Sequence, residues 1–444
     1  MTDDAWLPAR IIPTSGIRGA REQETRATSA LLSVLGAVDE FGRTILRRRF
    51  GAPAGRVETF IEVPIKMRNG SVVRPDGAVQ VRRGKKTWTA LFEVKTGTNE
   101  LDAEQVEAYV DAARERDFDA VVTISNQLMP ATGEHPVKVR GTKLKSVSLH
   151  HMSWVALLTE AVMEHEHRGV ADPEQAWILG ELIAYLEHPN SGAMQFGDMG
   201  QHWTSVRDSA RTGTLRPSDD GVDDVVDRWD ELSRYLCLQL GRELGADVQQ
   251  VLSRRDRSDA PGRRTRLART LAEDGVLECT LRVPDTVADI HLRADLKTRT
   301  VAAWLAVDAP GEGRPRTRVN WLVRQLRSDS PGDVRVDTAF ESRSTSTSTL
   351  LEALITDPDE ALLDDRRIAP RRFTVALTRP MGMQRSSGAR SFIGSTASLL
   401  DEFYRLVAQN LEAWRPRAPR LPDQPDSPGL EHAATEASLD AESA

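Results

Sequence analysis

The chain has 444 residues, of which 39% are hydrophobic, so it is long enough for two or three domains with ordinary buried cores. No run approaches the roughly 18 to 20 apolar residues of a membrane span, and the first ten residues include acidic groups where a secretory signal would be basic and then apolar. We therefore expect a cytoplasmic protein without membrane contact. The two cysteines, Cys237 and Cys279, are too few for a disulfide framework or a cysteine-rich zinc site.

The overall charge of −7 is unevenly distributed along the chain. The first 150 residues contain 23 Lys and Arg against 19 Asp and Glu, whereas the remainder contains 36 against 47. Basic runs lie at residues 43 to 49, 82 to 86 and 138 to 145. Such runs are usually solvated faces, and contact with phosphate groups is the alternative that bears on function.

The pattern of the first 165 residues predicts a mixed sheet covered by helices. The predicted elements are, in chain order, a helix over 22 to 46, strands over 57 to 66, 72 to 82 and 87 to 95, a helix over 101 to 116, a strand over 119 to 126, a short strand near 146 to 149 and a helix over 154 to 163. The order α-β-β-β-α-β indicates an α/β domain spanning residues 1–165. His150-His151 is expected in the connection between the last strand and helix, with a place in a nucleic-acid groove as the alternative.

The rest of the chain predicts a second unit, of the α+β class. Its predicted elements are helices over 173 to 188 and 222 to 251, a hairpin over 287 to 295 and 300 to 307, a helix over 314 to 326, a strand over 373 to 377 and a final helix over 395 to 414. The Arg-rich stretch 253 to 266 is expected to be an exposed connection, and the STSTST segment at 344 to 349 a loop. This part therefore divides into a mainly helical connecting region (166–275), an α+β domain of unknown role (276–415) and a disordered acidic tail (416–444).

Three charged side chains fall around the hairpin whose turn centres on Gly84 and Lys85. Antiparallel pairing about that turn places Asp76 opposite Glu93, with their Cβ atoms roughly 4.5 to 5.5 Å apart. Strand alternation puts Lys95 on the same face as Glu93. Two opposed carboxylates can share one divalent cation that lowers the pKa of a bound water, and a lysine can orient or deprotonate that water. The set suits phosphodiester hydrolysis with Mg²⁺, or with Mn²⁺ as the alternative.

These residues resemble the motifs of a known superfamily. Arg74-Pro75-Asp76 and Glu93-Val94-Lys95 resemble the PD and ExK elements of the PD-(D/E)xK nucleases, also called restriction-endonuclease-like. EQVEAY, which contains Gln105 and Tyr109, resembles the QxxxY signature of RecB-like nucleases on the helix that follows the ExK strand. The resemblance covers about residues 20–165 and implies a restriction-endonuclease-like core for the predicted mixed sheet. The Thr96-Gly97-Thr98 segment departs from it by introducing a flexible exit from the strand.

The resemblance also implies a role for each site residue. The catalytic residues would be Asp76, Glu93, Lys95, Gln105, Tyr109 and Glu24, the last from the first helix and with Glu22 as second choice. Asp76, Glu93 and Val94 would hold the metal. Gln105 and Tyr109 share one helical face, from which they would reach the metal-bound water and the nucleic-acid backbone.

The partners follow from the same resemblance. The expected partner is nucleic acid, with DNA favoured over RNA, in defence against foreign DNA or in DNA repair. A homodimer, and a protein partner at the second domain, stay open. No GxxxxGK[ST] loop is present, so no ATPase motor is expected.

Three other interpretations remain. In the first, Asp76 and Glu93 are solvated charges at strand ends, and Lys95 is their ion-pair partner. The second is a non-catalytic nucleic-acid-binding or stress-response regulatory protein that keeps the nuclease-like fold. The third is a protein-interaction module in which the carboxylates are structural.

Overall fold

The computed structural model describes residues 7–8, 19–130, 133–193, 196–326, 332–342, 344–386, 388 and 390–416. The tail predicted at 416–444 lies, except for its first residue, outside these ranges. No helix in the described ranges is long and apolar enough to cross a membrane. The fold is of mixed α/β type, with two large sheets and one small one.

The first large sheet is built from the part of the chain that ends near residue 193. Its elements are β1 (Leu7–Pro8), α1 (Ala20–Ala37), α2 (Asp39–Gly42), β2 (Arg56–Ile61), β3 (Ile65–Lys66), β4 (Val72–Val73), β5 (Gly77–Arg83), β6 (Lys86–Val94), α3 (Ala103–Glu115), β7 (Ala120–Ser125), β8 (Ser148–Ser153), α4 (Trp154–Val162) and α5 (Pro173–Glu187). Wider π-helical turns follow α2 at Arg43–Arg49 and α4 at Met163–Arg168, and 3₁₀ turns lie at Lys143–Lys145 and Pro189–Ser191.

The strand order in this sheet is β1-β2-β5-β6-β7-β8. Pairing is antiparallel from β1 to β6 and parallel from β6 through β7 to β8. Helix α3 connects β6 to β7 and packs on one face, against Leu91 and Val121. Helices α1, α4 and α5 cover the other face, where Phe92 and Val122 are buried. Alternate residues of β7 therefore serve two cores, which explains its continuous apolar run.

The second large sheet carries the remainder of the described chain. Its elements are α6 (Trp203–Thr212), α7 (Val222–Leu244), β9 (Gln249–Gln250), α8 (Arg254–Ser258), α9 (Ala260–Asp274), β10 (Val276–Arg282), β11 (Ile290–Asp295), β12 (Thr300–Asp308), α10 (Pro315–Leu326), β13 (Arg335–Phe340), β14 (Ser346–Leu350), α11 (Leu351–Thr356), β15 (Pro370–Pro380) and α12 (Phe392–Leu406), with 3₁₀ turns at Pro358–Ala361 and Ala408–Asn410. Its order is β14-β13-β15-β12-β11-β10-β9, antiparallel throughout. Helices α7 and α12 bury their apolar faces in the core of this unit.

Several predicted elements are interrupted in the first unit. The predicted first helix breaks at Val38, whose backbone is extended. The predicted strand over 57 to 66 divides at Glu62, which has a φ of 50°, and at Pro64, which has no N–H to donate to a ladder. The predicted strand over 72 to 82 divides into β4 and β5. The predicted short strand near residue 146 instead runs to Ser153, so that His150 and His151 lie within β8 and not in a connection.

Two predictions for the second unit are wrong. The Arg-rich stretch 253 to 266 is helical, because Ser253 and Asp259 cap α8 and α9 and because Arg263 is buried against Asp230. The STSTST segment forms most of the edge strand β14. Helix α5 packs into the core of the first unit, whereas α6 to α9 contribute to the second, so the chain between 166 and 275 is shared between two cores.

Candidate functional site

The β5–β6 hairpin brings Asp76 and Glu93 together. Gly77 pairs with Phe92 and Val81 with Trp88, which is the predicted register. Continued by one residue, this register sets Asp76 opposite Glu93. The main-chain N–H of Val94 donates a 2.8 Å hydrogen bond to Oδ2 of Asp76, which fixes this carboxylate against β6. The predicted register, which places Asp76 opposite Glu93, is therefore confirmed.

Lys95 completes this group of charges. Its Nζ lies 2.6 Å from Oε1 of Glu93. Glu93 is only 1% exposed, so its charge is removed from water. This short contact joins the Lys95 ammonium to a carboxylate that water does not reach. The interpretation of Glu93 as a solvated strand-end charge is wrong, because a buried carboxylate lacks the hydration on which that interpretation depends.

The two carboxyl groups perturb each other's titration. Burial, and then the charge of Asp76, raise the pKa of Glu93 to about 8. Burial also raises the pKa of Asp76, although the bond from Val94 opposes the shift. For Lys95, burial works against the charged form, but the ion pair with Glu93 outweighs it and raises the pKa of the ammonium. Without a cation, the carboxyl pair therefore retains a proton at neutral pH.

Gln105 and Tyr109 lie together on α3, at the wall of this site. Helix α3 begins after Asp102, whose side chain accepts hydrogen bonds from the N–H groups of Glu104 and Gln105. Nε2 of Gln105 donates to the Tyr109 hydroxyl at 2.8 Å, and that hydroxyl donates to the carbonyl oxygen of Arg74 at 3.1 Å. Burial, followed by the charge of Glu93, raises the pKa of Tyr109. The pair thus holds the chain that enters Asp76, and its predicted contact with metal-bound water and nucleic acid stays a prediction.

The first turns of α1 supply acidic groups to the same edge of the sheet. The charge of Glu24 raises the pKa of both Asp76 and Lys95, so Glu24 lies within electrostatic reach of the site. Its Oε1 accepts a 2.7 Å hydrogen bond from Nδ2 of Asn99. Oε2 of Glu22 is buried without a hydrogen-bond partner among the described residues. Of the two acidic residues considered for this role, Glu24 is the one coupled to the carboxyl pair.

The chain that leaves Lys95 is tied down, in contrast to the flexible exit expected from its sequence. Gly97 has a φ of 63°, and its N–H donates to the carbonyl oxygen of Gly192 at 2.9 Å. Nδ2 of Asn126 donates to the carbonyl oxygens of both glycines. Oγ1 of Thr96 donates to Oε1 of Gln23 at 3.3 Å. Gln23 and Asn126 were not among the predicted site residues; an amide directly after a buried strand was the available signal for Asn126, and Gln23, in the first turn of α1, had none.

A chain of hydrogen bonds lies beside Glu93 on the next two strands. Thr123 of β7 pairs with Glu93 and with His151 of β8. Oγ1 of Thr123 lies 2.9 Å from Nδ1 of His151 and 2.9 Å from Nε2 of His135. Nε2 of His151 contacts the carbonyl oxygen of Gln127, and Nδ1 of His135 lies 3.0 Å from the main-chain nitrogen and 2.9 Å from the carbonyl oxygen of Val137. Burial lowers the pKa of His151 to about 4, so that ring is neutral.

For His151, this neutrality fixes the direction of both bonds. Nε2 of His151 must donate, since a carbonyl oxygen only accepts, so its Nδ1 accepts the proton of the Thr123 hydroxyl. The row from Asp76 through Glu93 and Thr123 to His151 therefore crosses four neighbouring strands on the face that α3 covers.

The donor set fits a hard divalent cation in part. Asp76 and Glu93 present carboxylate oxygens, and those of Glu93 lack regular hydrogen bonds. The Val94 side chain has no donor atom, so this residue could contribute only through its main-chain carbonyl. Across the described ranges, no group of three or more His, Cys, Asp or Glu side chains is arranged to hold a metal ion. A Mg²⁺ ion at this site would therefore keep several water ligands, as it commonly does in proteins.

No protein-family model, no curated protein and no solved structure matches this chain, so its function is inferred from the geometry of the site.

Proposed function

We propose that this protein is a metal-dependent nuclease of the PD-(D/E)xK, restriction-endonuclease-like kind, with DNA favoured as its substrate. The observation that carries the proposal is the group of charges at one end of the β5–β6 hairpin: Asp76 opposite the buried Glu93, with the ammonium of Lys95 2.6 Å from Oε1 of Glu93. A role in defence against foreign DNA or in DNA repair is part of the proposal.

The charges of the site support a bound cation. The charges of three carboxylates, those of Glu93, Asp76 and Glu24, act on a single ammonium, that of Lys95. A buried excess of negative charge is unfavourable unless it is protonated or neutralised by a cation. The raised pKa of Glu93 is the sign of this excess in the absence of an ion.

Each residue then has a chemical role in hydrolysis. Asp76 and Glu93 would hold Mg²⁺ or Mn²⁺, which supplies Lewis acidity and acidifies a bound water. Lys95 would orient the attacking water and offset the negative charge that develops on the phosphoryl oxygens. The water oxygen bonds to phosphorus, the bond from phosphorus to the bridging oxygen breaks, and the released oxygen takes up a proton. Tyr109 and Gln105 act as positioning residues through their hold on the Arg74 carbonyl.

The hairpin that carries Asp76 and Glu93 also carries a basic tip. Arg83, Lys85 and Lys86 are exposed and form no ion pair with a described residue, whereas Arg82 pairs with Glu58 at 3.0 Å. The seven residue steps from Lys86 to Glu93 span about 23 Å at the rise of a strand. A duplex that contacts both ends of the hairpin would place phosphates on these side chains.

The test is degradation of DNA and RNA panels with Mg²⁺, Mn²⁺ or EDTA. The wild-type protein should cleave with either metal and not in EDTA, and Lys95→Ala should reduce the rate at least a hundredfold. Lys85→Ala, at the hairpin tip, should weaken substrate binding but retain chemistry at saturating substrate. Equal rates for wild type and Lys95→Ala would refute the proposed mechanism.

A second candidate is a nucleic-acid-binding protein that keeps this fold without catalysis. It is favoured by one observation: no three-ligand metal group exists in the described part of the chain. Binding of DNA or RNA with no cleavage under any metal would support this candidate over the first. Binding of neither would refute both.

A further inference from the structure

A cavity of about 430 Å³ separates the first unit from the second. Its walls come from β8, from α4 and from the turn after α2 on one side, and from α7 and the segment before β9 on the other. Strand β8 is the last strand of its sheet, so the cavity runs along a free sheet edge. Its volume lies within the range of small-molecule sites, which are often found where two domains meet.

Two of the arginines that line this cavity have no ion-pair partner among the described residues. Glu160 is paired with Arg49 and Arg168, and Glu134 with Arg263, whereas Asp247 accepts a hydrogen bond from the uncharged amide of Gln249. Arg48, from the first unit, and Arg234, from the second, form no ion pair or hydrogen bond with any described residue. Two unpaired guanidinium groups from opposite walls make an anion the complementary ligand.

The remaining wall suits a planar ring. The Phe50 and His150 rings lie 5.5 Å apart at the cavity wall. Met152 and Leu238 add apolar surface from the two units. A ligand with both a flat ring and an anionic group matches this combination of aromatic, apolar and cationic surface.

The cavity also borders the row of side chains that runs from His151 through Thr123 to Glu93 and Asp76. His151 lines it, and His151 is bonded to Thr123, the neighbour of Glu93 on β7. Two strand spacings, about 10 Å, separate His151 from Glu93. A ligand here would thus contact a residue joined to the candidate site by one hydrogen-bonded neighbour.

We propose that this cavity is a binding site for a free nucleotide, with its phosphate held by Arg48 and Arg234 and its base against Phe50 and His150. The site is separate from the Asp76 and Glu93 pair, and the proposal does not depend on nuclease activity. Because its two arginines belong to different units, the nucleotide would join the two units of the chain.

The test is calorimetric titration of the full-length protein in EDTA with AMP, ATP and adenosine. AMP or ATP should bind, and adenosine should bind at least tenfold more weakly because it lacks the anion. Arg48→Glu and Arg234→Glu should each weaken nucleotide binding at least tenfold. Arg48 is exposed, so its substitution leaves the fold intact.

Arg211→Glu is the matched control. Arg211 is an exposed arginine of α6 that is unpaired among the described residues and does not line the cavity. The Arg211→Glu variant should bind AMP and ATP with the affinity of the wild type. Absence of binding by both AMP and ATP, equal binding of adenosine, or unchanged affinity in both cavity variants would overturn the proposal.

Discussion

Nζ of Lys95 lies 2.6 Å from Oε1 of Glu93, and this ion pair is not enough to keep Glu93 ionised at neutral pH. Burial and the charge of Asp76 oppose ionisation more strongly than Lys95 favours it. The candidate site therefore changes its charge in the range where enzymes work, and a cation and a proton compete for the same oxygens.

The first prediction concerns stability in EDTA. Glu93 keeps its proton to about pH 8 in the folded protein but loses it near its ordinary value of 4.5 in the unfolded chain. The folded state thus binds more protons between these values, and the free energy of unfolding should fall as the pH rises from about 4.5 to 8. Glu93→Gln should flatten this fall in urea unfolding, whereas Glu104→Gln, on the exposed first turn of α3, should not. An unchanged slope in Glu93→Gln would contradict the assignment.

The second prediction concerns metal binding. Because Glu93 is mainly protonated at pH 7 without metal, binding of Mn²⁺ should release close to one proton and strengthen about tenfold per pH unit below pH 8. Calorimetry in buffers of different ionisation enthalpy measures the released proton. Asp76→Asn should abolish the binding. A pH-independent affinity would show that Glu93 is not a ligand.

The third prediction concerns Thr123. Thr123→Val keeps the shape but removes the hydroxyl that bonds His135 and His151, leaving two buried ring nitrogens without a partner. The free energy of unfolding should drop by about 2 kcal/mol. Thr123→Ser restores the hydroxyl and should recover most of this loss. If Thr123→Ser and Thr123→Val lost the same free energy of unfolding in urea, the proposed role of the hydroxyl would be contradicted.

The fourth prediction compares two glycines with similar backbones. Gly192 has a φ of 80° and Gly213 a φ of 71°. A Cβ on Gly192 would lie 2.7 Å from Cδ of Gln23 and from Cβ of Thr96, whereas one on Gly213 would meet nothing within 4 Å. Gly213→Ala should therefore cost about 1 kcal/mol from the backbone alone, and Gly192→Ala about 3 kcal/mol. Equal losses in urea unfolding would show that the Gly192 contact relaxes freely.

The fifth prediction compares two adjacent arginines of α9. Arg263 is buried and pairs with the buried Asp230 at 2.8 Å. Arg264 pairs with Asp227 at the surface, where both side chains are more than 40% exposed. Arg263→Ala should cost about 3 to 5 kcal/mol because it leaves Asp230 buried and unpaired, and Arg264→Ala about 1 kcal/mol or less. Similar losses in thermal or urea unfolding would contradict this assignment of burial.

Local pattern was sufficient to predict the hairpin at the site. Gly84, with a φ of 59°, forms the turn, and alternation along β5 and β6 then sets the register that opposes Asp76 and Glu93. The helix that carries Gln105 and Tyr109 was likewise predictable, since its apolar positions and its Asp102 cap are local.

The supporting contacts were not predictable, because they join residues far apart in sequence. Gln23 meets Thr96 across 73 residues, and Asn126 meets Gly192 across 66. The same reason explains the wrong interpretation of residues 253 to 266. Their arginines have the composition of an exposed segment, and only Asp230, 33 residues before Arg263, makes burial of a guanidinium favourable.

A hydrogen bond from Trp154, on the opposite face of the sheet from α3, makes this tryptophan a spectroscopic reporter of the site. Nε1 of Trp154, which is 1% exposed, donates a 2.8 Å hydrogen bond to the carbonyl oxygen of Lys95. Any event that moves Lys95 changes the environment of this indole. The chain has nine tryptophans, so fluorine-labelled tryptophan gives few resonances, and Trp154→Phe identifies the relevant one. Ion or substrate arrival at Glu93 can thus be followed as a chemical shift, without any assay of turnover.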